Sequence, residues 1–176
     1  PRHTAQRRTV APIVAPTNLA NMEGIIRRRT QTVLDGLPRN ETFDWVDRVS
    51  TELTAMMLAT LFDFPWADRR KLTHWSDVAI ANIEAEDAVV KSEAERMAEL
   101  MQMAEIMGAL WKERAAQPPK FDLISMMAHS EATKNMPTRE FIGNFALLIV
   151  GGNDTTRNSM TASVYALNKF PKEYEK

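Results

Sequence analysis

Asp154 and Thr155 stand side by side directly after the pair Gly151-Gly152, in the middle of a stretch that otherwise reads as an apolar helix. At helical spacing Leu147, Gly151 and Thr155 fall in one row, with Val150, Asp154 and Asn158 beside them. Such a face combines an apolar approach, a carboxyl next to a hydroxyl, and a glycine that lets a bulky group lie against the backbone. Together the acid and the hydroxyl can pass protons to a bound oxygen species. Helix propensity opposes the run, since each glycine costs about 1 kcal/mol against alanine in a helix interior. Conflicts between local propensity and global pattern mark sites where something other than stability selected the residues.

Three structural readings of the same run stand beside the chemical one. Gly151-Gly152 could end one helix, with Asn153 or Asp154 capping the next. Phe145 to Val150 could be a buried strand leading into a helix, as in phosphate-binding loops, but the Walker lysine and the full G-x-G-x-x-G are both missing. The polar residues could also satisfy one another, Asp154 with Asn158, and do nothing more.

The elements that must position this run are helical. Apolar residues recur at three- and four-residue spacing, and period-two alternation is hard to find. Helices are expected near Leu19 to Leu34 and over Phe43 to Phe62. A third, from Arg69 to Ile83, has Asp68 as its cap and Leu72, Trp75, Val78, Ala79 and Asn82 along one side. A fourth, from Val89 to Ala115, carries its buried stripe on Met97, Leu100, Met101, Ala104, Met107, Leu110 and Trp111. A short helix is expected over Phe121 to His129. The last, from Arg139 to Asn168, is apolar nearly all round before Gly151, which belongs in the middle of a domain. At 1.5 Å per residue its roughly 30 residues reach on the order of 45 Å, the span of a large domain.

The 176 residues, 44% of them hydrophobic, are enough for one sizeable core or a piece of a larger one. The 22 basic and 23 acidic residues nearly cancel, so neither nucleic acid nor an anionic membrane face is an expected partner. The longest apolar run, Phe145 to Val150, is far short of the roughly 20 residues a membrane span requires. No leader pattern precedes it, and the expected location is the cytoplasm. The first residue is Pro1, so the chain is expected to begin mid-protein or after processing. Cysteine is absent, which excludes disulfides and thiolate ligands within these residues.

Residues Ala146 to Asn158, A-L-L-I-V-G-G-N-D-T-T-R-N, resemble the central helix of the cytochrome P450 family, whose pattern is Ala/Gly-Gly-x-Asp/Glu-Thr-Thr/Ser. The resemblance implies a mostly α fold: the part of the P450 domain that runs from the propionate-binding helix through the oxygen-binding helix. On it, Gly151 and Gly152 let the helix lie over a haem (haem b, iron protoporphyrin IX), while Asp154 is the acid and Thr155 the hydroxyl of the oxygen-activating groove. Leu147 and Val150 are the substrate-wall candidates. The N-terminal P-R-H-T-A-Q-R-R resembles the start of the family's propionate-binding helix, with His3 and Arg7 one turn apart. Taken alone, that cluster reads as a solvated surface.

The wording L-L-I-V-G-G-N-D-T-T-R-N and T-V-A-P-I-V-A-P-T-N-L is most similar to the bacterial alkane-hydroxylating subfamily. That implies O2, a medium-chain alkane, and electrons from a ferredoxin and its ferredoxin reductase. The family's Glu-x-x-Arg pair and cysteine loop follow the central helix, so the axial thiolate is expected beyond Lys176. Residues 1–176 are then one domain truncated at both ends, without activity alone. Glu93-Ala94-Glu95-Arg96 has the pair's spacing but precedes the central helix, and reads as a solvated face. The rival from another class is an all-helical regulatory or scaffolding domain, with the methionine-rich fourth helix packed on a partner.

Overall fold

A computed structural model describes residues 2–175. Among them every regular element is helical. In order they are α1 (Arg2–Val10), a 3-10 turn (Ala11–Val14) and α2 (Pro16–Asp35). Next come α3, in which a π-helical turn (Val46–Thr51) runs into Glu52–Phe62, and α4 (Arg69–Ile80). The remainder are α5 (Glu93–Ala115), α6 (Leu123–His129), α7 (Thr138–Lys169) and α8 (Pro171–Tyr174). No helix is long and apolar enough to cross a membrane.

Boundaries follow caps more than periodicity. α1 has no buried residue, so apolar spacing gives no sign of it. α2 starts three residues before the expected Leu19, because Pro16 is suited to the first helical position. α3 closes on Asp63 in the left-handed region (φ 49°), and the Phe64 N–H returns to the Ala59 carbonyl at 2.9 Å. That Schellman-type closure tolerates aspartate at the turn.

α4 ends at Ile80 rather than Ile83, and Asp68 makes no side-chain cap. Asn82 does not continue the buried side; its Oδ1 accepts the Glu84 N–H at 3.2 Å in a turn. α5 begins at Glu93, not Val89, since Ser92 Oγ caps the Glu95 N–H at 3.1 Å and the Glu95 carboxylate takes the Lys91 N–H. Its expected stripe holds in the second half, where Met107 is fully buried and Leu100, Leu110 and Trp111 pack on the core; Met103, outside the stripe, is also fully buried, whereas Met97 (56%) and Met101 (48%) are exposed. α6 begins at Leu123, with Asp122 as its cap and Phe121 exposed.

α7 is the axis of the molecule. α3 and α4 pack along it, α5 meets its first half, and α1 lies against α6. Phe145, Ile149 and Asn153 form its buried line. Phe145 meets Phe62 of α3 (centroids 5.9 Å apart) and Trp111 of α5 (6.3 Å). Aromatic pairs at such separations add about 0.5–1.5 kcal/mol beyond their buried area. The continuous helix overturns two structural readings of the glycine run, the cap between two helices and the strand before a loop. It is also not covered all round: Leu147 is 65% exposed.

Candidate active site

The two glycines do different things. A Cβ on Gly151 would meet nothing within 4 Å, so the backbone there borders open space. A Cβ on Gly152 would fall 2.7 Å from Leu58 Cδ2, so its missing side chain is the room that Leu58 of α3 occupies. Gly152 thus permits close helix packing, and Gly151 leaves a face open.

Between this face and the N-terminal segment lies an open cavity of about 310 Å³. Leu147, Leu148, Gly151 and Gly152 line it from α7, and Arg7 and Val10 from α1. A second hollow of about 210 Å³ shares Arg7, Val10, Leu147 and Leu148 and adds His3. α1 is held for this by Glu140 at the start of α7, which accepts hydrogen bonds from Arg2 and Gln6. Thr9 and Ser130 share another at 2.9 Å. His3 and Arg7 are both exposed and both border the α7 face. Val150 is part-buried and borders neither hollow.

Asn153, one residue before the acid, points the other way. It is fully buried, and its Oδ1 accepts the Thr54 hydroxyl at 2.8 Å, while its Nδ2 has no partner among the described residues. Asp154 sits on the α4 side. Its Oδ1 accepts Asn158 Nδ2 at 3.2 Å and Arg157 Nη2 at 3.3 Å. The pairing of Asp154 with Asn158 expected from spacing therefore forms, with a cation added.

Arg157 in turn donates to both oxygens of Asp77 on α4, at 2.6 and 3.2 Å. The hydrogen bond to Asp77 raises the guanidinium's pKa above its ordinary value, against the desolvation that lowers it; charge from Asp77 and Asp154 adds to the rise. Thr155 is exposed. Thr60 and Thr161 each return a hydroxyl to the carbonyl four residues back. Thr155 makes no such bond among the described residues.

The arrangement suits a flat, mostly apolar group carrying anionic substituents. Gly151 gives it room, leucines and valines give it apolar walls, and His3 and Arg7 at the edge offer hydrogen bonds to carboxylates. No cluster of three or more potential metal ligands occurs among the described residues. Sequence reading missed Asp77 and Arg157. Arg157 stands three residues after Asp154, a helical-neighbour spacing, but nothing in the sequence joins it to Asp77.

No family model matches the chain. A curated relative, linalool 8-monooxygenase of Pseudomonas putida, is 30% identical over 99% of this chain and 43% of its own length. Among solved structures, cytochrome P450-153 from Novosphingobium aromaticivorans superposes with a TM-score of 0.86 at 51% identity, covering 99% of this chain and 41% of that one. CYP153D17 from Sphingomonas sp. gives the same score and identity over 99% of this chain and 43% of its own. The mostly α architecture is thus part of the P450 fold. The chain belongs to the cytochrome P450 family, and it spans about two fifths of the length of the relatives it matches.

Proposed function

We propose that the chain is the haem-covering, oxygen-activating part of a cytoplasmic monooxygenase. Its substrate is apolar, a medium-chain alkane hydroxylated at a terminal carbon, with O2 and with electrons from a ferredoxin and its reductase. The observation that carries the reading is the open space at Gly151, bordered within one helical turn by Asp154 and Thr155. Relatives named for oxidising linalool and steroids support an apolar substrate. The resemblance of residues 146–158 to the alkane-hydroxylating subfamily supports the narrower choice.

When bound, haem supplies the oxygen and redox chemistry. The chain's own residues then have four tasks. His3 and Arg7 bind the propionates, and Leu147 and Leu148 shut water out of one edge of the pocket. Val150, one turn before Asp154, adds to the substrate wall. Thr155 Oγ1 offers a hydrogen bond toward the groove, and Asp154 takes a proton from the solvent side and passes it on through that hydroxyl.

The coding sequence beyond Lys176 offers a direct test. A Glu-x-x-Arg pair and a cysteine in a glycine-flanked loop are both expected within about 100 residues, since a cysteine thiolate would supply the electron donation that oxygen activation on haem requires. Absence of both from the complete protein would end the monooxygenase reading. Full-length protein should take up haem and convert octane to its primary alcohol when supplied with ferredoxin and reductase; attack only at inner carbons would remove the terminal assignment.

A further inference from the structure

Asp77 belongs to α4, far from the glycines in sequence, and the pattern that led to Asp154 and Thr155 has no place for it. Yet the acid's geometry depends on it. Arg157 is shared between two carboxylates on two helices, and the sharing is unequal. Asp77 takes two bonds, at 2.6 and 3.2 Å, and Asp154 a single one at 3.3 Å from the same Nη2. Side-chain exposures of 14% for Arg157, 32% for Asp77 and 27% for Asp154 place the trio at the margin of the core. Charge-assisted bonds are strong there and still reached by solvent.

A guanidinium left to a single carboxylate has the donors to close on it in a two-bond fork. Such a fork on Asp154 would fix both its oxygens and hold its negative charge. Asp77 prevents that by holding the fork itself, which leaves Asp154 oriented by one long bond and by Asn158. We propose that Asp77 is a positioning residue for Asp154: by retaining Arg157 on α4, it keeps the acid free to exchange protons. The inference rests on the proton-delivery role given to Asp154 above. Its consequence is that the spacing of α4 and α7 governs how available the acid is.

The test compares Asp77→Asn, Asp77→Glu, Asp154→Asn and the double variant Asp77→Asn/Asp154→Asn, all in haem-loaded full-length protein. Asp77→Asn should take up haem with an unchanged absorbance spectrum, and its crystal structure should show both Arg157 Nη atoms on Asp154. Turnover should fall on the order of tenfold, within the range general acid catalysis supplies, with KM unchanged and a larger solvent isotope effect. Asp77→Glu should restore most of the loss.

In the Asp154→Asn background, Asp77→Asn should have no further effect, because the two act through one group. If Asp77→Asn does not load haem, Asp77→Asn/Arg157→Gln removes the guanidinium together with its partner; turnover close to wild type is expected, since nothing remains to close on Asp154, and a tenfold loss there would overturn the proposal. In Asp77→Asn itself, unchanged turnover and isotope effect, or an Arg157 that stays off Asp154, would overturn it too. Normal turnover in Asp154→Asn itself would instead remove the proton-delivery reading beneath it.

Discussion

Leu58 Cδ2 lies 2.7 Å from the point a Cβ on Gly152 would occupy, so α3 fills the second glycine's vacancy while the first stays open. A single alanine scan separates the two. In Gly152→Ala, Leu58, 1% exposed, has to turn against a packed core, at a cost of about 1–3 kcal/mol. Gly151→Ala meets no neighbour and should gain about 0.5–1 kcal/mol of helix propensity. Urea unfolding of both measures the contrast. Equal stability would remove the packing role of Gly152, and undiminished haem uptake by Gly151→Leu would remove the opening at Gly151.

Thr54 and Asn153 form a buried hydrogen bond, 2% and 0% exposed, that joins α3 to α7 one residue before the acid. Thr54→Val keeps the shape and leaves Asn153 Oδ1 without its donor, which should cost about 1–3 kcal/mol. Thr54→Ser keeps the hydroxyl and should cost about 1 kcal/mol or less, the price of one buried methyl. Thermal unfolding of the pair decides it; a valine variant as stable as the serine variant would show that the bond contributes nothing.

Asp122 caps α6, accepting the Ser125 N–H at 2.8 Å, and its other oxygen is buried without a partner among the described residues. Burial pushes its carboxyl above the ordinary 3.8, more than the Ser125 bond pulls it down. The folded state therefore holds this proton more tightly than the unfolded one. The group's contribution to stability is complete below the unfolded pKa and is lost as pH rises through the folded one. Asn caps as well as Asp and does not titrate. Relative to wild type, Asp122→Asn should gain stability as pH rises above the ordinary carboxylate range, and urea midpoints that stay parallel there would contradict the burial argument.

Thr155 presents an exposed hydroxyl on the row that runs through Gly151 and Leu147. In the full-length protein, Thr155→Ala should keep haem and lose coupling, so that NADH is consumed and hydrogen peroxide accumulates in place of product. A loss on the order of tenfold in product per NADH fits the removal of one proton-transfer group. Thr155→Ser should stay close to wild type. Full coupling in the alanine variant would take Thr155 out of the relay.

The sequence by itself determined the long helices from α2 to α7 in outline, the family, and the row of Leu147, Gly151 and Thr155, because each depends on spacing within one helix, where 3.6 residues per turn fixes neighbours without further information. It also placed His3 and Arg7 one turn apart. Tertiary structure decided the rest, because each remaining relation joins residues distant in sequence. Packing added Met103 to the buried line of α5 and left Met97 and Met101 in solvent. Contact with α3 divided two adjacent glycines into a seat for Leu58 and an open face. The meeting of α4 with α7 put Asp77 against Arg157, across 80 residues of chain, and so gave the acid beside Thr155 the cation that orients it.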